Sequence, residues 1–313
     1  MAVGGGTGLA AILRAVRPLA SLPDDLHPSA PFRVTAITAV SDDGGSSGRL
    51  RRDFDIRPPG DMRQCLAALT DSEDLLCRLF SYRFSKGAAL VGHSLGNLML
   101  AVGSRMTGGM EGSLAELGRM MGAHGRVIPA SPDGCTLSAI LADGPRVAGE
   151  SAIGCAALPI DRLELHPASP AASRSALSAI ASADIISIGP GSLFTSVLPN
   201  LLIPELADAL RRSTALKILF LNLTSGPAET CGMTALDHLR AIEKHAGRLI
   251  DIVAADSGVS PRHPLAVDEP AIRAAGYGVV INALRAPGYE TRHSAPAVLR
   301  LLLDHAYHLS TTA

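Results

Sequence analysis

Tryptophan is absent from this 313-residue chain, and only six Phe and four Tyr occur. With so few aromatic side chains the core has to be built from Ala, Leu, Ile and Val, which suits close packing of helices on a sheet. Aromatic platforms for stacking single-stranded bases are scarce for the same reason. Lysine is nearly missing: Lys86, Lys217 and Lys244 are all there is. None follows a Gly before Ser or Thr, so a P-loop ATPase or GTPase is excluded on motif grounds. The formal net charge is −1 and no long run of Lys or Arg exists, which argues against a nucleic acid or a membrane surface held mainly by charge.

The five cysteines (Cys65, Cys77, Cys135, Cys155 and Cys231) contain no Cys-x-x-Cys pair. An odd number without that spacing fits a reducing cytosol better than a disulfide framework. No HExxH or similar compact pattern occurs among the ten His, so a structural zinc site is not expected. Residues 98–102 and 180–188 are largely apolar, yet both are far too short to span a membrane. Met1 runs almost at once into glycines, with no signal-peptide pattern. A cytoplasmic protein is the expectation, without nucleic-acid partner or membrane span; a homo-oligomer is left open.

What the sequence does have is alternation. Residues 34–40, 184–188, 217–223, 249–254 and 278–282 are apolar and rich in β-branched side chains, as buried strands are. Between them, helical spacing appears at 9–16, 61–69, 73–80, 94–106, 113–121, 172–181, 193–211, 234–245 and 295–305, with Pro199 and Pro204 expected to break the seventh. A Pro- and Asp-containing connection fills 18–31, and 41–48 reads as an irregular loop. Residues 127–166 switch to short β runs with turns at Pro132-Asp133-Gly134 and Asp143-Gly144-Pro145, an antiparallel excursion. Strands alternating with helices imply one α/β domain over 1–313 with a mainly parallel sheet covered on both faces. Ligands in such folds sit beyond the carboxyl ends of the strands.

Three loops there carry candidate chemistry. Gly4-Gly5-Gly6-Thr7-Gly8 follows a very short strand and contains Gly6-x-Gly8-x-x-Ala11, the dinucleotide fingerprint, in which glycines let the backbone approach a pyrophosphate at a helix N-terminus. The bland alternative is a tight strand-to-helix turn. Gly189-Pro190-Gly191-Ser192 has the same context, or is an ordinary turn with Ser192 as N-cap. Asp42-Asp43 opens the third loop, where a carboxylate takes a ribose or sugar hydroxyl, two carboxylates hold Mg²⁺ through water, or an Asp/Gly turn does nothing more. Arg49, Arg51, Arg52, Arg57 and Arg63 stand nearby and offer anion contacts, although such arginines commonly just face solvent.

Gly92-His93-Ser94-Leu95-Gly96 matches the G-x-S-x-G nucleophile elbow. With Ser94 as nucleophile, Asp251 or Asp256 would orient His263 or His293, in the chain order of an α/β-hydrolase. The preceding strand, 88–91, is short, and no His-Gly-Gly oxyanion loop precedes it. A nicotinamide dehydrogenase rests on Gly6, Gly8 and Ala11 alone, since Tyr82, Tyr277, Tyr289 and Tyr307 form no Tyr-x-x-x-Lys pair.

Taken in order, Gly4-Gly-Gly-Thr-Gly-Leu9, Val40-Ser-Asp-Asp-Gly-Gly-Ser-Ser-Gly-Arg-Leu-Arg51, Gly60-Asp-Met-Arg-Gln-Cys-Leu66, Gly92-His-Ser-Leu-Gly-Asn-Leu98, Gly149-Glu-Ser-Ala-Ile153, Gly189-Pro-Gly-Ser-Leu193 and Gly226-Pro-Ala-Glu-Thr230 resemble the gluconeogenesis factor (YvcK) family of the CofD-like superfamily. The resemblance implies a Rossmann-like three-layer α/β/α fold. It also implies binding of a nucleotide-sugar such as UDP-N-acetylglucosamine, a role in carbon metabolism and cell shape or envelope synthesis, and no established catalysis. The related CofD branch transfers a phospholactyl group from a nucleotide-diphosphate donor, with Mg²⁺ at its acidic loop. By position, Gly5, Gly6, Thr7 and Gly8 would face the phosphates together with Gly189, Gly191 and Ser192. Asp42 and Asp43 would lie near the sugar or metal, Asn97 would line the cleft, and Arg292 would approach the ligand's far end. The chain departs from the family in its truncated first strand and in the shortness of 255–267.

Overall fold

The computed structural model describes residues 1–21, 32–71, 74–156, 158–226 and 228–312. Strand β1 (Ala2–Gly4) leads into α1 (Gly6–Ala20), and β2 (Thr35–Thr38) follows. Most of the connection read over 18–31, and the start of the helix read from Glu73, lie outside the described residues. Five helices then run between β2 and β3: α2 (Gly45–Phe54), α3 (Gly60–Ala68), α4 (Leu75–Ser81), α5 (Leu95–Met106) and α6 (Met110–Met120) lead to β3 (Arg126–Pro129). A small unit comes next, with β4 (Thr136–Leu141), β5 (Arg146–Ala148), α7 (Glu150–Ile153) and β6 (Ile160–His166). The second half alternates α8 (Arg174–Ala181), β7 (Ile185–Ile188), a π-helical turn (Leu193–Val197), α9 (Leu198–Leu201), α10 (Pro204–Arg212), β8 (Leu216–Phe220), α11 (Ala235–Ala246), β9 (Ile252–Asp256), α12 (Glu269–Ala274), β10 (Gly278–Asn282) and α13 (Ala295–Thr312).

Seven strands form one parallel sheet in the order β10-β9-β8-β7-β1-β2-β3, and β5-β4-β6 form a separate antiparallel sheet. Starting at β1, the chain builds outward through β2 and β3, then returns to the other side of β1 and continues through β7 to β10. The order of strands therefore reverses between β1 and β7. Val3 pairs with Ile37 on one side and Ile188 on the other, and such short, mostly apolar and buried strands belong in a sheet covered on both faces. Helix α1 buries Leu9, Ala10, Ile12, Leu13 and Ala15, the three-to-four spacing of a single face, and packs against α3 and α13.

Four expectations change. The loop read over 41–48 is irregular only to Gly44: Gly45-Ser-Ser-Gly48 is the first turn of α2, despite poor helix propensity, because Ser46 and Ser47 are held by residues far along the chain (below). Residues 88–91 form a turn closed by bonds from the Leu90 and Val91 amides to the Gly87 carbonyl, not a strand. The β excursion is narrower than 127–166, because β3 pairs in parallel with β2. Finally, the helix read over 193–211 breaks before Pro204 as expected, with a 77° bend between Leu193–Leu201 and Pro204–Arg212, since Pro204 opens a new helix; but it is three pieces rather than two, and Pro199 lies inside α9. Among the described residues no single helix is long and apolar enough to cross a membrane.

Candidate functional site

Both Gly-rich loops leave the sheet at the point where the strand order reverses, the crevice at which open α/β sheets hold ligands. They touch. A Cβ on Gly8 would lie 2.2 Å from the Pro190 carbonyl oxygen and 2.9 Å from the Gly191 amide nitrogen. Gly6 has φ +60° and Gly189 φ +65°, left-handed conformations that cost a side chain free energy. Asn200 donates to the Gly4 carbonyl at 3.1 Å and Asn222 brackets Gly191, accepting from its amide at 3.0 Å and donating to its carbonyl at 2.8 Å. The Gly191 amide is thus already paired. Thr7 is exposed in the first turn of α1, where backbone amides lack partners within the helix.

Three carboxylates without assigned roles in the sequence reading surround these loops. Asp61, on α3, accepts a hydrogen bond from the Gly6 amide, and its Oδ2 would be 2.4 Å from a Cβ on Gly5. Burial first, then the charge of Asp42, pushes its carboxyl up to about 6, against the pull of the Gly6 amide and Arg63. Glu150, opening α7, reaches Thr195 of the π-helical turn; burial and then Asp42, Asp61 and Asp43 push it up to about 7. Glu229 accepts from the Ser192 hydroxyl and from the Leu193 and Phe194 amides, and burial raises it. Ser192 also caps its own turn, accepting from the Thr195 amide at 3.3 Å. Glu229 and Phe194 share a wall of a 450 Å³ cavity that runs to Asp237, Arg240 and Lys244. Carboxylates therefore stand at both glycine-loop helix starts. Their motif positions, Gly60-Asp61 and Gly149-Glu150, were visible in the sequence; nothing there told which way the side chains turn.

The acidic loop is more structural than expected. Asp43 accepts from the Glu150 and Ser151 amides at 2.9 and 3.0 Å, which fastens β2 to the small unit, and Asp42 accepts from the Gly44 amide at 2.9 Å. Ser47 accepts from the Gly60 amide at 3.1 Å. Ser46 lies between His93 Nδ1 (2.9 Å) and the Asn97 carboxamide nitrogen (3.0 Å). Asn97 is buried, and its Oδ1 has no partner among the described residues. Arg63 is buried on α3 with its Nε unpartnered; burial lowers its pKa, and Arg83 lowers it further.

Arg292 is exposed and lies 4.1 Å from the Tyr289 ring centroid; its charge is felt by Arg14 of α1. It belongs to the segment after β10 that returns across the sheet's carboxyl edge. There Asp256, at the end of β9, holds the Leu284 and Arg285 amides and the Arg285 Nε, and Arg285 donates to the Leu223 carbonyl after β8.

No triad assembles around Ser94. Its hydroxyl accepts from the Asn97 amide as the N-cap of α5 and is fully buried. Asp256 pairs with Arg285, Asp251 with Lys217, and His293 Nε2 with the Leu221 carbonyl. The nucleophile-elbow reading fails because the matching residues are a helix cap.

A parallel sheet with helices on both faces and two glycine loops abutting at its switch point defines a Rossmann-like α/β/α protein. The sequence profile described as 2-phospho-L-lactate transferase CofD matches residues 1–285. The chain is 40% identical to the gluconeogenesis factor of Halalkalibacterium halodurans, over 96% of this chain and 94% of that one. It is 38% identical to the gluconeogenesis factor of Bacillus subtilis, over 96% of each. A crystal structure of a member of the UPF0052 family from Bacillus halodurans matches with a TM-score of 0.89 at 40% identity, covering 96% of this chain and 97% of that one. The chain belongs to the CofD family, among the gluconeogenesis factor homologues.

Proposed function

We propose that the β1/β7 crevice binds the diphosphate of a nucleotide-sugar, UDP-N-acetylglucosamine or a close analogue, and that the protein regulates carbon metabolism and cell-envelope synthesis without catalysis. The observation that carries this reading is the backbone contact between Gly8 and Pro190 at the switch point, which brings two loop-to-helix starts to one crevice. Helix starts favour anions by about 0.3–2 kcal/mol each. Gly5, Gly6, Thr7, Gly8, Gly189, Gly191 and Ser192 are the phosphate-facing residues in this reading, Asn97 a wall of the cleft, and Arg292 a distal contact. Two relatives carry the name gluconeogenesis factor, which supports the metabolic half.

A diphosphate entering this crevice meets Asp61 and Glu150. Pushed up to about 6 and about 7, they take protons near neutral pH and can then donate to phosphate oxygens. Affinity is therefore expected to rise as pH falls from about 8 to about 6. Mg²⁺ is the other way to offset the charge. Asp43 is a poor ligand for it, because backbone amides occupy both its oxygens. Among the described residues no three His, Cys, Asp or Glu side chains are placed to hold a metal ion.

The test is thermal denaturation with UDP-N-acetylglucosamine. A rise in Tm that is lost in Gly6→Val, with the unliganded variant still melting cooperatively, supports the reading; no rise with any UDP-sugar overturns it. The second reading, transfer of a phosphorylated small acid from a nucleotide-diphosphate donor, is favoured by the family profile over residues 1–285. It requires nucleotide release that depends on an acceptor alcohol.

A further inference from the structure

Two arginines outside the crevice converge without a counter-charge. Arg51 lies on α2, and Arg57 lies between α2 and α3. Both are half-buried. They meet at the turn between β3 and β4: a Cβ built on Gly134 would lie 3.7 Å from Arg51 Nη2 and 3.8 Å from Arg57 Nη1. Neither guanidinium has a carboxylate within ion-pair distance among the described residues. Arg57 uses its Nε on the Pro132 carbonyl at 2.5 Å. Arg51 Nη1 is shielded from solvent and has no hydrogen-bond partner among the described residues. Burial pushes the thiol of Cys135, next in the chain, up to about 11, and both arginine charges pull against that rise. The acid nearest in sequence, Asp133, is exposed.

Withdrawing a guanidinium from water costs free energy unless an anion or acceptor replaces the lost hydration. Arg51 is partly withdrawn in this way through its shielded Nη1, and the like charge of Arg57 beside it adds repulsion. One nitrogen of each fork, Arg51 Nη2 and Arg57 Nη1, lies 3.7 and 3.8 Å from a common point, and a doubly charged oxyanion beside it accepts from both at once. Gly134, which has no side chain, leaves that spot open. We propose that Arg51, Arg57 and the Gly134 turn form an anion subsite for a phosphate monoester group. It lies at the carboxyl end of β3, two strands from β1 in the sheet order, so it does not rest on the diphosphate assignment. The phosphate belongs either to a separate small metabolite or to the far end of a ligand that also enters the crevice.

Inorganic phosphate, titrated calorimetrically into the full chain with and without UDP, tests this. Binding that persists in UDP and weakens about tenfold in each of Arg51→Gln and Arg57→Gln supports a separate metabolite. Binding displaced by UDP but still weakened by both variants supports one extended ligand. Gly134→Asp guards against variants that merely misfold. The glycine has no left-handed φ and its Cβ space is ordinary, so a carboxylate supplied there should raise Tm and abolish phosphate binding. Wild-type chain that binds no phosphate, or binds it equally in both Gln variants, overturns the proposal. So does a Gly134→Asp chain of lowered Tm that still binds. Failure of UDP to bind, with the arginine dependence intact, would count against the crevice reading alone.

Discussion

Gly8 and Pro190, 182 positions apart in sequence, are in backbone contact: a Cβ on Gly8 would stand 2.2 Å from the Pro190 carbonyl oxygen. No rotamer relieves that overlap, because the obstructing atom is main chain. The two loops can approach as they do only while position 8 is glycine.

Gly8→Ala is therefore expected to destabilise the chain by at least the roughly 1–3 kcal/mol of ordinary overpacking. Any UDP-sugar response should fall with it. Gly118→Ala is the control, because its Cβ would meet no main chain, only the end of the Leu66 side chain at 3.2 Å and the Ala123 Cβ at an ordinary 3.7 Å. Urea denaturation of both variants decides; equal midpoints would mean that the loops part at little cost.

Asp61 gives a pH signature. Its carboxyl is raised from 3.8 to about 6, by burial and then by Asp42. A raised carboxyl contributes stability that is complete below its unfolded pKa and is lost as pH rises through the folded one. Asp61→Asn should consequently gain on the wild type between pH ~4 and ~6 and keep the gain above. His93, His238, His245 and His293 are all lowered by burial and tilt the profile the other way. Variant and wild type must accordingly be compared at each pH. A stability difference that stays flat with pH would remove the assignment.

Ser94→Ala should cost about 1 kcal/mol, the worth of an N-cap, and leave ligand binding unchanged. A fluorophosphonate probe should not label Ser94. Labelling would restore the nucleophile reading that the buried cap geometry argues against.

The Asp256–Arg285 pair holds the segment bearing Arg292, with side chains 5% and 19% exposed respectively. Truncating Arg285 to Ala leaves a buried carboxylate unpaired, at about 3–5 kcal/mol. Chemical denaturation measures that loss. A loss below 1 kcal/mol would mean that water replaces the guanidinium.

Local chemistry made much of the architecture legible. Largely apolar runs such as 184–188 and 249–254 read as buried strands, since most of their side chains are poor at facing water, and strands stand there at Ile185–Ile188 and Ile252–Asp256; glycines at 4–8 and 189–191 marked turns that other residues would strain. What went astray depended on partners distant in sequence. Gly45-Ser-Ser-Gly48 has the composition of a loop, yet forms a helix start because Gly60, His93 and Asn97 hold its serines. Asp43 looked available for a ligand until the fold brought the Glu150 amide to it, 107 residues away.

The sequence by itself determined the alternation of strand and helix, the two glycine loops and the family, because backbone permissiveness and periodic burial are properties of short segments. Tertiary structure alone decided that the loops meet at the strand-order reversal, and that Asp61 and Glu229 cover the helix starts while Arg51 and Arg57 have no ion-pair partner among the described residues. Hydrogen bonds and charges act over a few ångströms of space, and only the folded chain sets which residues stand that close.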